Sequence, residues 1–307
     1  MFGIFRPIQM KLRMTHASSN RAPNASNRAP NASNKVVPNA SNKVVPNAFI
    51  EVPNAFIEVP NVSNECDKND VTIILQGLMI NEVNLMNMIS EYQHYGKIII
   101  SSYFEKYNGL KSRIMDAFPN TIVIDNDINE FMSDPDIKKY NNNHCFFQVS
   151  TVRKALKYVN TPYVIKTRVD NYFSNLDKFI CEVIKNNDKI TSTQIYVRGF
   201  NQIKYHPSDI LFGGSFNEIT SVFNNDHNFD ITCPEVIIFK NHILQKLKEL
   251  NISVNVFEKD IELYGNTMAK IFNIYNISNL NSYYFKNLKF NFTEKSTIDF
   301  FKHGCDN

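Results

Sequence analysis

Tyr163-Val-Ile-Lys-Thr-Arg-Val-Asp170 is the stretch of the sequence that decides the fold. It begins with three apolar residues and ends with polar ones, which is the pattern of a buried strand whose carboxyl end carries polar chemistry. Open α/β sheets bind their ligands at that end of the strands. An aspartate delivered there, Asp170, can hold a divalent cation, and the cation can neutralise a diphosphate.

Strands and helices alternate on both sides of this stretch. Apolar runs predict strands at 71–75, 97–100 and 121–124, and apolar residues at helical spacing predict helices between them at 84–95 and 110–118. We further expect helices at 146–158, 176–184, 234–250 and 260–272, and a strand at 194–198. Strands separated by helices of this length favour right-handed parallel crossovers. The sequence therefore predicts an α/β fold with a Rossmann-type, mostly parallel sheet flanked by helices.

The first quarter of the chain has a different character. Between 20 and 64, prolines recur at steps of seven or eight residues, at Pro23, Pro30, Pro38, Pro46, Pro53 and Pro60. Each proline removes a backbone donor and biases its predecessor out of the helical region, and the spacing is too short for a solenoid unit. We expect a disordered low-complexity tail over 1–66, with a binding array as the alternative, then one domain over 67–280. A C-terminal tail over 281–307 has no pattern that places it.

Charge and cysteine content exclude several classes of partner. Lys plus Arg is 33 against 30 for Asp plus Glu, and the net charge of +3 is too small to indicate a nucleic-acid partner. The five cysteines are widely spread without a C-x-x-C pair, so neither zinc nor a disulfide framework is expected, which suits a reducing compartment. No apolar run reaches membrane-spanning length. We expect a cytoplasmic protein, with peripheral membrane contact and the oligomeric state left open.

Arg168 and Asp170 are the first candidates for binding chemistry. Magnesium takes one or two carboxylates and fills its other positions with water and phosphate oxygens, so Asp170 can be a direct metal ligand. Arg168 points to the same side by the strand period of two, either as a phosphate clamp or as the partner that keeps the carboxylate ionised. The alternative is a structural ion pair at a strand end. One Arg-x-Asp motif does not choose between the two interpretations.

Other polar residues follow the strands at the same expected edge. Gln76 and Gly77 come directly after the first strand, where a glycine lets a ligand approach the backbone closely. Asp125 and Asp127 end the third strand, where they can bond a ribose or a base. Asp209 and Glu235 are candidate general bases, and each can equally be an ordinary cap, since a negative charge is favourable in a first helical turn.

Several other kinds of site are not indicated. No G-x-G-x-x-G or G-x-x-x-x-G-K-[ST] loop occurs, which disfavours dinucleotide and ATP-type phosphate cradles. His144 and His206 are expected to be surface or loop residues, because no serine or cysteine pairs with them in a triad-like pattern.

In their order and approximate spacing, these motifs resemble the WavE-like lipopolysaccharide synthesis proteins. They are Asp70-Val-Thr-Ile-Ile-Leu-Gln-Gly77, Ile98-Ile-Ile-Ser-Ser102, Val164-Ile-Lys-Thr-Arg-Val-Asp170, Ser208-Asp-Ile-Leu-Phe-Gly-Gly214 and Pro234-Glu235, and the likeness covers roughly 70–272. The chain departs from the family at Leu78, where proline is usual, and at Ser102-Tyr103, where Ser/Thr-Trp is frequent. The repeat tail is also foreign to the family.

The resemblance implies a glycosyltransferase of the GT-A type, in which Arg168-x-Asp170 is the counterpart of the D-x-D metal motif. It implies that Asp170 binds Mn²⁺ or Mg²⁺ and that Asp209 and Glu235 lie toward a glycan or glycolipid acceptor in surface polysaccharide synthesis. The residues grouped at the nucleotide-sugar donor are Gln76, Gly77, Ser101, Asp125 and Arg168. An Asn-, Ile- and Lys-rich composition favours an AT-rich genome, such as that of a large DNA virus, whose protein would act in the host cytoplasm, or of a protist.

Two other functions stay open at this point. A non-catalytic glycan-binding or virion-associated protein could keep the fold, with the repeat tail as its tether, because fold and function separate easily. A nucleotidyltransferase would share the fold class and the metal, but it needs a basic triphosphate loop after the first strand, and residues 76–80 contain no Lys or Arg.

Overall fold

The computed structural model describes residues 68–78, 81–105, 107–129, 143–229, 233–284 and 295–304. The predicted tail over 1–66 and most of the polar loop between 129 and 143 lie outside these ranges. Within them, strands and helices alternate along most of the chain, which confirms the predicted α/β class.

A seven-stranded sheet runs through the described part of the chain in the order β3-β2-β1-β4-β7-β6-β8. Its strands are β1 (Val71–Gly77), β2 (Lys97–Ser102), β3 (Ile122–Asp125), β4 (Tyr163–Arg168), β6 (Ile190–Thr193), β7 (Leu211–Ser215) and β8 (Phe272–Tyr275). All neighbours pair in parallel except at β7, which is antiparallel to both β4 and β6. A second, two-stranded sheet pairs β5 (Asn171–Ser174) with β9 (Asn281–Tyr284). The mostly parallel sheet is therefore confirmed.

Nine α-helices accompany the sheet in the described residues. They are α1 (Glu82–Tyr92), α2 (Leu110–Ala117), α3 (Asn143–Leu156), α4 (Asp177–Lys185), α5 (Phe216–Asn224), α6 (Pro234–Glu249), α7 (Val254–Phe257), α8 (Ile261–Ile271) and α9 (Thr297–His303). Local chemistry fixes several starts: the side chain of Asn81 caps α1, and that of Asp260 accepts from two backbone N–H groups of α8.

The core forms two apolar layers, one on each face of the sheet. Successive residues of β1 point to opposite faces, so Ile74 joins one layer while Ile73 and Leu75 join the other. The layer of Ile73 includes buried residues of α1, α2 and α4, and the layer of Ile74 includes those of α3, α5, α6, α8 and α9. Burial on both faces explains why the central strands β1, β2 and β4 contain continuous apolar runs.

The strand predicted at 194–198 is wrong. The strand in that region is β6, which ends at Thr193 and is followed by a turn in which Val197 N–H donates to the Gln194 carbonyl. Tyr196 has a φ of 61°, which no β-strand has. Ile195 and Val197 are buried on either side of it, so the alternation that predicted a strand is a burial pattern in a turn.

The segment that the sequence left unplaced, 281–307, contributes two described elements. Its β9 pairs with β5, and its α9 packs on α8. Gly265 in α8 allows this packing, because a Cβ there would lie 2.7 Å from Lys302 Cγ and 3.2 Å from the Ile298 carbonyl oxygen. A glycine inside a helix costs about 1 kcal/mol relative to alanine, and here the close approach of α9 accounts for it.

The described residues bear on two predictions, one about membrane-spanning segments and one about disulfides. No helix there is long and apolar enough to cross a bilayer. Cys145 and Cys233 are not in disulfides, whereas Cys181 in α4 is disulfide-bonded. No spacing pattern in the sequence indicates that bond, and the cysteine content therefore no longer supports a reducing compartment.

Candidate active site at the carboxyl edge of the sheet

Three strands of the sheet end side by side at one edge. Gly77 of β1 is in register with Ser102 of β2, and Ser102 is in register with Asp125 of β3. The Ser102 hydroxyl donates to the Gly77 carbonyl at 2.7 Å, and the Phe104 N–H donates to Asp125 Oδ1 at 3.2 Å. Asp125 remains exposed. The structure thus brings Gly77 and Asp125 to one edge, two strands apart.

Gly77 adopts a backbone conformation that only glycine accepts readily. Its φ is +120°, and the position where a Cβ would lie is 3.8 Å from Val169 Cγ2. Gln76, which is 5% exposed, is in register with Arg168, and its carbonyl accepts from the Val169 N–H at 2.9 Å. Gln76 and Gly77 therefore lie directly beside the segment that ends at Asp170.

Arg168 and Asp170 form a two-pronged ion pair. Arg168 Nε donates to Asp170 Oδ1 at 2.8 Å, and an Arg168 terminal nitrogen donates to Oδ2 at 2.7 Å. The Asp170 side chain is 8% exposed and that of Arg168 is 34% exposed. An ionised carboxylate offers about four lone-pair sites, of which the guanidinium takes two. The expected ion pair is therefore present. Lone pairs for one cation remain on Asp170, and this number fits a Mg²⁺ or Mn²⁺ ion that is held by one carboxylate together with phosphate and water oxygens.

Ser101 is placed behind this edge. It is fully buried, its hydroxyl donates to the Thr151 carbonyl at 2.8 Å, and it accepts from Asn126 Nδ2 at 3.0 Å. The first contact fastens α3 to β2, and the second ties the residue after β3 to β2. Ser101 thus supports the edge from inside, whereas Gly77 and Asp125 form its outer part.

Lys166 lies beside Asp209 and was not among the residues predicted for the site. The side chain is fully buried in β4, and its Nζ donates to the backbone carbonyl of Asp209 at 2.5 Å. Burial lowers the pKa of Lys166 from 10.5 to about 8; the Asp209 carboxylate opposes this, Arg168 adds to it, and Asp170 again opposes it. Lys166 therefore senses the charges of both Asp170 and Asp209. The signal in the sequence that could have identified this residue is a lysine within the apolar run of a predicted buried strand.

Asp209 reaches this edge because of the direction of β7. Thr167 of β4 pairs with Leu211 at the start of β7, so the residues that precede β7 lie beside the residues that follow β4. Asp209 is 5% exposed, and Gln148 Nε2 of α3 donates to its Oδ2 at 2.8 Å. Gln148 thus fixes the orientation of the carboxylate. The sequence does not reveal this role, because there Gln148 is only a polar residue within a predicted helix.

Glu235 belongs to a cluster with His206 and Cys233. His206 Nε2 and Cys233 Sγ each lie 3.3 Å from Glu235 Oε2, and the three ligand-type atoms are all within 4.8 Å of one another. Burial alone would lower the pKa of His206, but its hydrogen bonds to Cys233 and Glu235 outweigh burial and raise it to about 9. Of the two alternatives expected for His206, surface or loop residue, the structure agrees with the loop: His206 lies in the loop before β7 but is only 4% exposed.

Cys145 connects this cluster to Asp209. Its side chain, in α3, is 1% exposed, and its thiol lies 3.8 Å from the Pro234 carbonyl. Burial raises the pKa of the Cys145 thiol well above its usual range, and the nearby carboxylates of Asp209 and Glu235 raise it further. Both candidate bases therefore lie within electrostatic reach of one buried thiol.

The comparisons with known proteins do not identify site residues in this chain. No protein-family model and no curated protein sequence matches it. Among solved structures, it is similar to a mannosyltransferase from Pyrobaculum calidifontis in complex with GDP-Man and Mn²⁺, at 9% identity and a TM-score of 0.38, over 57% of this chain and 51% of that one. The chain thus spans about half the length of that protein.

Two further solved structures show a comparable degree of similarity. S. aureus TarS matches at 9% identity and a TM-score of 0.36, over 65% of this chain and 39% of that one. The inositol-1-phosphate CTP transferase from T. maritima matches at 11% identity and a TM-score of 0.38, over 71% of this chain and 89% of that one.

Proposed function

We propose that this protein transfers a sugar from a nucleotide-sugar donor to a glycan or glycolipid acceptor, as a metal-assisted glycosyltransferase of the GT-A type. The observation that carries the proposal is the placement of Asp170 just after β4, where Val169 lies beside Gly77 and Lys166 of the same strand donates to the Asp209 carbonyl. The resemblance to WavE-like proteins extends the proposal to surface polysaccharide synthesis, carried out by the domain that follows the repeat tail.

The donor would lie along the ends of β1, β2 and β3. Gly77 has no side chain to exclude a ligand from the backbone, and the exposed carboxylate of Asp125 can accept hydrogen bonds from a ribose or a base. Arg168, one-third exposed, can bind phosphate oxygens while it holds Asp170. The cation on Asp170 would supply Lewis-acid stabilisation of the diphosphate that leaves.

Of the two candidate bases, we propose Asp209 for the acceptor hydroxyl. Its Oδ2 is held by Gln148, so its other oxygen has a defined direction. Lys166 places positive charge next to it, and both lie on the edge that Asp170 occupies. Glu235 is engaged by His206 and Cys233 instead. A general base must be in hydrogen-bond reach of the proton it takes, and a fixed carboxylate beside the donor meets that requirement.

Donor binding by the full chain tests the proposal. Calorimetric titration with UDP-, GDP- and CMP-sugars in the presence of Mn²⁺ should show binding of at least one donor, and Asp170→Asn should abolish turnover with nearly unchanged melting temperature. Asp116→Asn, an exposed carboxylate on α2, is the matched control and should change neither. If no donor binds, the proposal fails. If Asp170→Asn unfolds the protein, the pair with Arg168 is structural.

One observation favours a second candidate, a binding protein without turnover. Arg168 already engages both oxygens of Asp170, which is the arrangement expected if the pair only stabilises the strand end. Donor hydrolysis in the absence of acceptor separates the two: slow release of free sugar by the wild type and none by Asp170→Asn supports the enzyme. Donor binding with no release by either supports the binding protein.

A further inference from the structure

We propose that His206, Cys233 and Glu235 form a binding site for a transition-metal ion of the zinc class, with three protein ligands and a fourth position open to water. This cluster is separate from the Asp170 site and does not depend on the proposed sugar transfer. In the part of the chain that the structure describes, it is the one group of three or more His, Cys, Asp or Glu side chains with the spacing of a metal site.

The donor-atom spacing fits a tetrahedral ion. Zinc binds sulfur at about 2.3 Å and nitrogen or oxygen at about 2.0–2.1 Å, which places neighbouring donors about 3.3–3.6 Å apart. His206 Nε2 and Cys233 Sγ each lie 3.3 Å from Glu235 Oε2. The His206–Glu235 edge of the tetrahedron therefore has the required length, and the Cys233–Glu235 edge is about 0.3 Å short of it. All three atoms are within 4.8 Å of one another, so small side-chain rotations can set the remaining edges.

The chemistry of the three ligands selects the ion. Thiolate and imidazole favour zinc, cobalt and copper, whereas magnesium, calcium and manganese prefer oxygen ligands. A thiolate and a carboxylate together carry two negative charges, which would neutralise a divalent ion in this largely buried place. Three protein ligands with an open fourth position are the arrangement of catalytic rather than structural zinc sites.

The fold supplies the ligands from two independent segments. His206 lies in the loop before β7, where its backbone carbonyl accepts from the Arg198 N–H at 3.1 Å. Cys233 is the N-cap residue of α6, and Glu235 is in its first turn after Pro234. A bound ion would therefore link this loop to the start of α6.

The competing arrangement is a metal-free cluster held by protons. In it, the Cys233 thiol donates to Glu235 Oε2 and a protonated His206 pairs with the same oxygen. The two arrangements use the same atoms and differ in whether an ion replaces the protons, so a direct measurement of metal binding distinguishes them.

Cobalt titration of the full chain tests the proposal. After EDTA treatment and dialysis, Co²⁺ should bind with one equivalent and produce a thiolate-to-cobalt charge-transfer absorption, which Zn²⁺ then displaces. Cys233→Ser should abolish that absorption, and His206→Gln and Glu235→Gln should weaken binding by at least the roughly tenfold that loss of even an outer-shell partner costs. Cys145→Ser, a neighbouring cysteine outside the cluster, should keep the spectrum.

Two further measurements make the outcome decisive. The melting temperature of each metal-free variant shows whether it folds, so that lost binding can be assigned to the ligand. Asp170→Asn should keep the cobalt spectrum, so this site can be present even if donor binding fails. The proposal is overturned if the wild type shows no charge-transfer absorption, or if the absorption survives in Cys233→Ser.

Discussion

The buried lysine in β4 predicts an unusual dependence of stability on pH. Lys166 is fully buried, and its pKa is lowered from 10.5 to about 8, chiefly by burial. Between these two values, the unfolded chain binds more protons at this position than the folded chain does. Folding stability contributed by this group therefore rises as the pH increases from about 8 to 10.5, and the cost of the buried charge is fully present below pH 8.

The size of this effect follows from the two pKa values. Each pKa unit corresponds to about 1.4 kcal/mol, so the difference between 10.5 and about 8 amounts to about 3 kcal/mol of stability. Lys166→Met keeps most of the side-chain volume and removes the ionisable group. It also leaves the Asp209 carbonyl without its donor, which lowers stability by about 1–3 kcal/mol at every pH.

Urea unfolding of both proteins from pH 7 to 10.5 measures the difference directly. Other lysines, tyrosines and cysteines titrate in this range in both proteins, so their contributions cancel in the difference. The free energy of unfolding of the wild type minus that of Lys166→Met should rise by about 3 kcal/mol from pH 7 to 10.5. Parallel curves would show that Lys166 has an ordinary pKa, and they would contradict the burial of its amino group away from water.

Three backbone features supply further predictions. Gly77→Ala should lower the free energy of unfolding by about 1–3 kcal/mol, because its φ is +120°; an unchanged urea midpoint would contradict that conformation. Gly265→Ala should cost about 1–3 kcal/mol through contact with Lys302, and Gly265→Ala with Lys302→Ala should recover part of it; no recovery would refute the close packing of α8 and α9. Asp260→Ala should lower the melting temperature through a loss of about 1 kcal/mol, since two N–H groups lose their cap, whereas Asp260→Asn should not.

The sequence predicts several strands of the sheet and the part of the site that contains Gly77 and Asp170. Apolar runs locate β1, β2 and β4 because these strands are buried on both faces, and the polar residues after β1 and β4 mark the edge where Gly77 and Asp170 lie. An apolar run also locates β3, although this strand is only partly buried. Periodicity fails at 194–198 because it reports which side chains are buried and not whether the backbone is extended. The alternation of Ile195 and Val197 satisfies the pattern although Tyr196 turns the chain.

The rest of the site could not be predicted, because its contacts join residues that are distant in sequence. Gln148 and Asp209 are 61 residues apart, and Lys166 and Asp209 are 43 apart. Only the three-dimensional packing of α3 against the sheet makes Gln148 a partner of that carboxylate. Equally, the absence of a C-x-x-C pair argued against zinc, whereas Cys233 finds its partners at His206 and Glu235 in a cluster without any local spacing signature.

The antiparallel direction of β7 explains why the residues before β7 and the residues after β4 lie at the same edge of the sheet. If β7 ran parallel to β4, its carboxyl end would lie beside Arg168, and Asp209 would be at the opposite edge. Because β7 is reversed, its first residues approach the last residues of β4, and the Asp209 carbonyl can accept from Lys166. The residue proposed for the acceptor and the residue proposed for the metal then lie at the same ends of neighbouring strands. The reversal of one strand therefore places the proposed donor and acceptor groups on the same edge.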